Sequence, residues 1–314
     1  MHARGLELGI YEDYGTKTCA GYPGSLGFIK EDAATFADWD VDYLKLDGCN
    51  VNVTLMQYGY PQMSKALNNT GKRIVYSCEW PDYLRMHNQS IDYAPVREFC
   101  HTWRNFDDVE NSWSSILSIV SYYDHNQDVH VKYNGPGGWF DPDMLVAGNG
   151  GITVNMARAQ LTMWCLWSAP LIMSTDLRAL SPQIRAVLQN KRVIAVDQDP
   201  MGKMARLVLN STYMGVYTKP VTPVDARGTS FAIGILNRDN NTNHVAEIRL
   251  SDLGLNDSDG YRVDDLWEGK LIGIMHPSDT LDVVVEAASA NLYKATPVAL
   301  AKKVHRKKLN KKKN

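Results

Sequence analysis

No stretch of 18 apolar residues occurs among the 314, so no membrane-spanning helix is expected. No Cys-x-x-Cys pair occurs and the eight histidines are scattered, so neither a metal site nor a cofactor is expected. Met1 runs directly into HARGLELGIY, without the apolar core of a signal peptide. Acid is missing from residues 301–314 (AKKVHRKKLNKKKN), which hold eight of the 33 lysines and arginines. Setting that tail aside leaves 25 basic against 35 acidic side chains, a body near −10. Such a balance argues against nucleic acid as the main partner, and the tail reads as a disordered appendage. Cysteine is sparse: Cys19, Cys49, Cys78, Cys100 and Cys165 allow two disulfides and one leftover thiol.

What is present is apolar and aromatic. An apolar fraction of 44% fills a core, and 16 Tyr with 8 Trp exceed what packing alone requires. Six N-x-S/T sequons begin at Asn52, Asn68, Asn88, Asn210, Asn240 and Asn256, and together they point to the secretory route.

The order of elements separates two domains. Residues 5–11, 41–46, 73–78, 101–106, 137–143 and 170–174 read as strands, with helices between them around 31–38, 63–67, 91–99, 113–122, 155–167 and 182–189. Strand and helix in alternation predict a parallel sheet with helical crossovers. After residue 202 the pattern becomes short alternating runs with Asn/Asp/Gly turns, which predict an antiparallel β domain over 203–297, followed by a tail over 298–314. Cys165 falls within an apolar helix and reads as a core thiol.

Polar residues gather where the strands of the first domain end: Glu12 and Asp13, Lys45 and Asp47, Glu79, Arg104 and Asp108, Asp141 and Asp143. Tyr11, Trp80, Tyr83 and Trp139 lie among them. In VDYLKLDGC (41–49), Asp47 leaves a buried strand with Lys45 two residues back on the same side of the pleat. A helix-capping aspartate before a turn glycine explains the same residues, and so does capping by Asp141 and Asp143 in DPD. Acids interleaved with aromatics at nearly every strand end suit a neutral sugar ring better than caps alone, and two carboxylates supply a nucleophile and an acid/base.

The motifs LKLDGC, YSCEWPDY, WRNFDD, GGWFDPDML, APLIMSTDLR and VIAVDQDPMGK resemble, in order, those of the melibiase-type α-galactosidases and α-N-acetylgalactosaminidases, glycoside hydrolase family 27. The likeness implies a (β/α)8 TIM barrel over residues 1–202, followed by an antiparallel β-sandwich. By that likeness the sequence starts at the family's third barrel strand, without the sugar-stacking Trp and Asp pair of strands one and two. Phe140 stands where the family has Asn, near the pocket floor. The resemblance implies a retaining exo-glycosidase for terminal α-linked galactose, with Asp47 as nucleophile and Asp108 as acid/base. Tyr11, Lys45, Cys49, Glu79, Asp82, Tyr83, Arg104, Asp143 and Met144 are then the pocket lining. Lys45 is expected to hold Asp47 ionised, and disulfides are implied at Cys19–Cys49 and Cys78–Cys100.

Glu79 is the family's residue for accepting a galactose 2-hydroxyl, whereas Asp82 replaces an apolar side chain usual in galactosidases. Galactose is therefore expected, with N-acetylgalactosamine, or both sugars, as the alternative. A further alternative is an inactive galactoside-binding or structural remnant. The resemblance also implies a homodimer, lysosomal or secreted, and an acidic pH optimum.

Overall fold

The computed structural model describes residues 1–226 and 228–301. It contains two compact units: residues 1–108 with 136–143, and residues 109–135 with the described residues from Met144 onward.

The first unit is a five-stranded parallel sheet. Strand β1 (Gly9–Asp13) leads to helix α1 (Ile29–Asp38), β2 (Tyr43–Asp47), α2 (Met56–Asn69) and β3 (Val75–Cys78). Helices α3 (Trp80–Met86) and α4 (Tyr93–Phe99) precede β4 (Thr102–Arg104), and β5 (Trp139–Asp141) completes the sheet. Spatial order equals sequence order, as in a (β/α) barrel wall. Helix α1 starts with Glu31 and Asp32, acids that favour the positive end of the helix dipole.

Side chains alternate across a strand, so register assigns each one to a face. Leu44 pairs with Tyr76, and Leu46, Cys78, Trp103 and Phe140 continue one row across the sheet. All of these are buried. The opposite face carries Tyr11, Lys45, Ser77, Thr102 and Trp139 in one row, with Asp13 beside Asp47 and Arg104 beside Asp141 in the next. Phe140 therefore does not lie at the pocket floor. Its ring packs against Trp103 at 5.0 Å and Tyr93 of α4 at 4.9 Å, on the helix-covered side.

Within the second unit, α5 (Trp113–His125), α6 (Gln127–Tyr133), α7 (Val154–Trp167), α8 (Pro182–Leu188) and α9 (Lys191–Asp197) precede an antiparallel β region. That region comprises β6 (Arg206–Asn210), β7 (Met214–Asp225), β8 (Gly228–Asn237), β9 (His244–Arg249), β10 (Tyr261–Asp265), β11 (Lys270–Met275), β12 (Thr280–Val285) and β13 (Ala290–Pro297). A six-stranded sheet, β11-β10-β13-β8-β7-β6, faces the pair β12-β9 over a core including Val216, Ile233, Ile248, Leu281 and Tyr293. This is the expected β-sandwich.

Four expectations are corrected. The strand expected at 170–174 is only a bridge between Leu145 and Met173; Pro170 has no donor to extend the ladder, and a turn follows at 176–179. Helix α3 was not anticipated, although Pro81 at its first turn is a start signal. Helix α6 and strands β10 and β11 were likewise not anticipated. Residues 298–301 begin a helical turn with Leu300 buried, and the rest of the expected tail lies outside the described residues.

Candidate active site

Both implied disulfides are present. Cys19–Cys49 has its Cα atoms 5.2 Å apart, and Cys78–Cys100 has them 6.1 Å apart. Cys165 is free and buried. The first bridge ties the β1–α1 loop to the exit of β2, two residues after Asp47. Asn50 reinforces it by donating from Nδ2 to the carbonyls of Lys17 and Thr18, each at 3.1 Å.

Asp47 is half-buried at the end of β2. Its Oδ2 accepts from the Tyr11 hydroxyl at 2.8 Å, and its Oδ1 accepts from the Tyr83 hydroxyl and the Gly48 N–H, both at 2.8 Å. Gly48 is required for this approach: a Cβ there would lie 2.8 Å from the Tyr83 ring. Burial and the neighbouring carboxylates push both tyrosine hydroxyls well above their ordinary range, so each remains a donor.

Lys45 departs from expectation. Its Nζ lies 2.8 Å from Glu79 Oε1, so its ion-pair partner is Glu79 and not Asp47. The sequence places Lys45 two residues from Asp47 along one strand, about 7 Å, whereas parallel pairing sets β3 within about 5 Å. Arg104, only 3% exposed, reaches the same Oε1 at 3.0 Å. It also approaches Asp143 Oδ2 at 3.5 Å and donates to Asp108 Oδ1 at 2.7 Å. Burial raises Glu79 to about 7 against the pull of both cations. The Asp108 side chain is 88% exposed, and the Arg104 guanidinium outweighs its slight loss of hydration and holds that carboxyl below its ordinary range.

Asp141, beneath Asp143, is raised by burial to about 6. Its Oδ1 accepts the Asp143 N–H at 2.9 Å and fixes Asp143 at φ 74°. Asp82 is buried and accepts from Arg85 Nε at 2.9 Å. Met144 belongs to the second unit, where its carbonyl accepts from Gln160 Nε2 at 3.0 Å.

The sequence reading omitted Asp13 from the site. It is fully buried and bonded to Tyr11, Cys19 and Cys49. Its position two residues after Tyr11 on β1 was the available signal. Asp13, Cys19, Asp47 and Cys49 converge within 4.8 Å, but the disulfide consumes both thiolates and leaves only two carboxylates for a cation.

All six sequon asparagines are exposed.

The family model described as alpha galactosidase A matches residues 1–199, and that of the alpha galactosidase C-terminal beta sandwich domain matches 211–295. Alpha-N-acetylgalactosaminidase of Gallus gallus is 40% identical over 302 residues, covering 96% of this chain and 73% of that protein. Alpha-galactosidase A of Homo sapiens is 48% identical over 239 residues, covering 76% of this chain and 54% of that protein. The crystal structure of alpha-galactosidase I from Mortierella vinacea is similar with a TM-score of 0.80 at 25% identity, covering 94% of this chain and 78% of that one.

Proposed function

Since the chain belongs to the melibiase-type alpha-galactosidase family, we propose that it hydrolyses terminal α-linked galactosides with retention at the anomeric carbon. The observation that carries this reading is the set around Asp47 and Arg104. One carboxylate is aimed by two tyrosine hydroxyls, and a second, Asp108, rests on a buried guanidinium two strands away in the same sheet.

In the first step an Asp47 oxygen attacks C1, the bond from C1 to the departing oxygen breaks, and Asp108 protonates that oxygen. In the second step water attacks C1, Asp108 takes its proton, and the C1–Asp47 ester bond breaks to release galactose. Lys45, Arg104 and Asp143 are assigned to the sugar hydroxyls. Both cations reach Glu79 through Oε1. Oε2 then accepts the 2-hydroxyl, and replacing that hydroxyl by an acetamide leaves a buried carboxyl poorly matched. We therefore assign galactose as the preferred sugar.

The six exposed sequons and two disulfides support passage through the secretory route.

The test is turnover of nitrophenyl α-galactoside against the corresponding α-N-acetylgalactosaminide. The galactoside is expected to show the higher kcat/KM, and D47N is expected to abolish turnover of both. Faster cleavage of the acetamido sugar by the unaltered protein reverses the assignment of sugar. Full activity in D47N removes the assignment of the nucleophile.

A further inference from the structure

Proton counting around Tyr11 leads beyond the two carboxylates of the reaction. The Tyr11 hydroxyl lies 2.8 Å from Asp47 Oδ2 and 2.8 Å from Asp13 Oδ2. A phenol carries one proton, so it cannot donate fully to both. With both carboxylates ionised, one of these contacts sets two oxygen lone pairs against each other. One added proton resolves the conflict: a protonated Asp13 donates to the Tyr11 oxygen, and Tyr11 donates to Asp47.

The surroundings decide which carboxyl takes that proton. Asp13 is fully buried, whereas Asp47 is half-buried and has two further donors, Tyr83 and Gly48. The groups facing Asp13 are Tyr11 and Glu12 on its own strand, Asp47 from β2, Tyr83 from α3, and the Cys19–Cys49 bridge. Among the described residues no lysine, arginine or histidine forms an ion pair with Asp13. Burial accordingly pushes its carboxyl upward, outweighing the Tyr11 hydroxyl and the backbone donors of Cys49 and Cys19.

We propose that Asp13 is a positioning residue whose proton turns the Tyr11 hydroxyl onto Asp47, so that the protonation of Asp13 governs how readily Asp47 leaves the galactosyl ester. This rests on Asp47 being the nucleophile. As the ester breaks, Asp47 regains its negative charge, and a Tyr11 proton committed to it lowers that barrier. Ionised Asp13 competes for the proton and adds like charge nearby, so the step slows as pH rises. Asp108 acts as a base in this step, and its own titration has the opposite sign.

The experiment follows reactivation of the protein after covalent labelling with a fluorinated α-galactosyl trap, between pH 5 and 8. Unaltered protein is expected to reactivate about tenfold more slowly at the alkaline end. D13N keeps a donor toward Tyr11 at every pH, although its amide no longer accepts from the Cys19 N–H. It is expected to show less than about a twofold change over that range. Y11F leaves the Asp13 bonds to Cys19 and Cys49 intact and is expected to lose most of that pH dependence, the small remainder, from the like charge of Asp13, going when D13N is added. Labelling at Asp47 with identical pH dependence in the unaltered protein and in either variant overturns the role of Asp13 and leaves the nucleophile standing. Labelling elsewhere, or none, overturns both.

Discussion

Arg104 joins three carboxylates to which the proposed reaction gives different roles. Its guanidinium is buried, stays charged throughout the accessible pH range, and contacts Glu79, Asp108 and Asp143. In the proposed reaction Asp108 must carry a proton to protonate the departing oxygen, yet Arg104 holds it below its ordinary range. The protonated fraction therefore falls early as pH rises, so kcat/KM is expected to peak on the acid side and decline toward neutrality. Replacing the cation in R104Q is expected to move the declining limb to higher pH while lowering the maximum, and a pH–rate profile checks it. D108N is expected to cost about 10²- to 10⁴-fold on methyl α-galactoside and much less on a dinitrophenyl galactoside, whose leaving oxygen needs no proton. Sequence reading singled out Asp47, Asp108 and Arg104 because each lies within a motif. It gave Asp13 no role because the spacing from Tyr11 sets its face of the strand but not its burial, and it misassigned Lys45 because its partner Glu79 lies 34 residues away, just past the end of β3.

At the scale of elements, close packing overrides local propensity. Gly59 lies inside α2, where alanine is ordinarily favoured by about 1 kcal/mol. A Cβ at that position would sit 1.9 Å from the Tyr14 ring, so the overpacking cost of roughly 1–3 kcal/mol wins. G59A is expected to lower the urea midpoint, and a rise would contradict the packing described. Lys219, fully buried on β7, donates to the carbonyls of Cys165 and Val196 at 2.8 and 2.7 Å and to Ser168 Oγ at 2.7 Å. One ammonium thus satisfies carbonyls near the ends of both α7 and α9, where the helix dipoles favour positive charge. K219M strands these acceptors, and a loss of about 3–5 kcal/mol in chemical denaturation is expected. A lysine in a strand pattern gives no hint of this, since both helix ends that enclose it are distant in sequence.

For the whole molecule, the buried titratable groups set how stability follows pH. Glu79 at about 7 and Asp141 at about 6 lie above the ordinary carboxylate values of 4.5 and 3.8. The folded state therefore binds more protons than the unfolded one between those limits, and stability rises as pH falls through them. His130 works the other way: burial lowers it from 6.5 to about 3, so the unfolded state takes up the extra proton on acidification. Burial raises Asp197 in the same sense, so three raised acids against one depressed histidine leave a net gain. The melting temperature is expected to climb from pH 7.5 to about 5, and to climb further in H130Q. A protein that melts earlier at pH 5 than at pH 7.5 would refute this balance.

The sequence by itself determined the alternation that buries Leu44 and Leu46 behind Lys45 and Asp47, the change from parallel to antiparallel texture after residue 202, and the motifs that give the family. Those properties are local, set by the period-two pleat, by turn residues and by short runs of side chains. Only the tertiary structure decided that Lys45 pairs with Glu79, that Phe140 lies under α4, and that Asp13 shares one tyrosine proton with Asp47. Each depends on the register between strands some 30 residues apart, and on burial, which exists only once the strands have met.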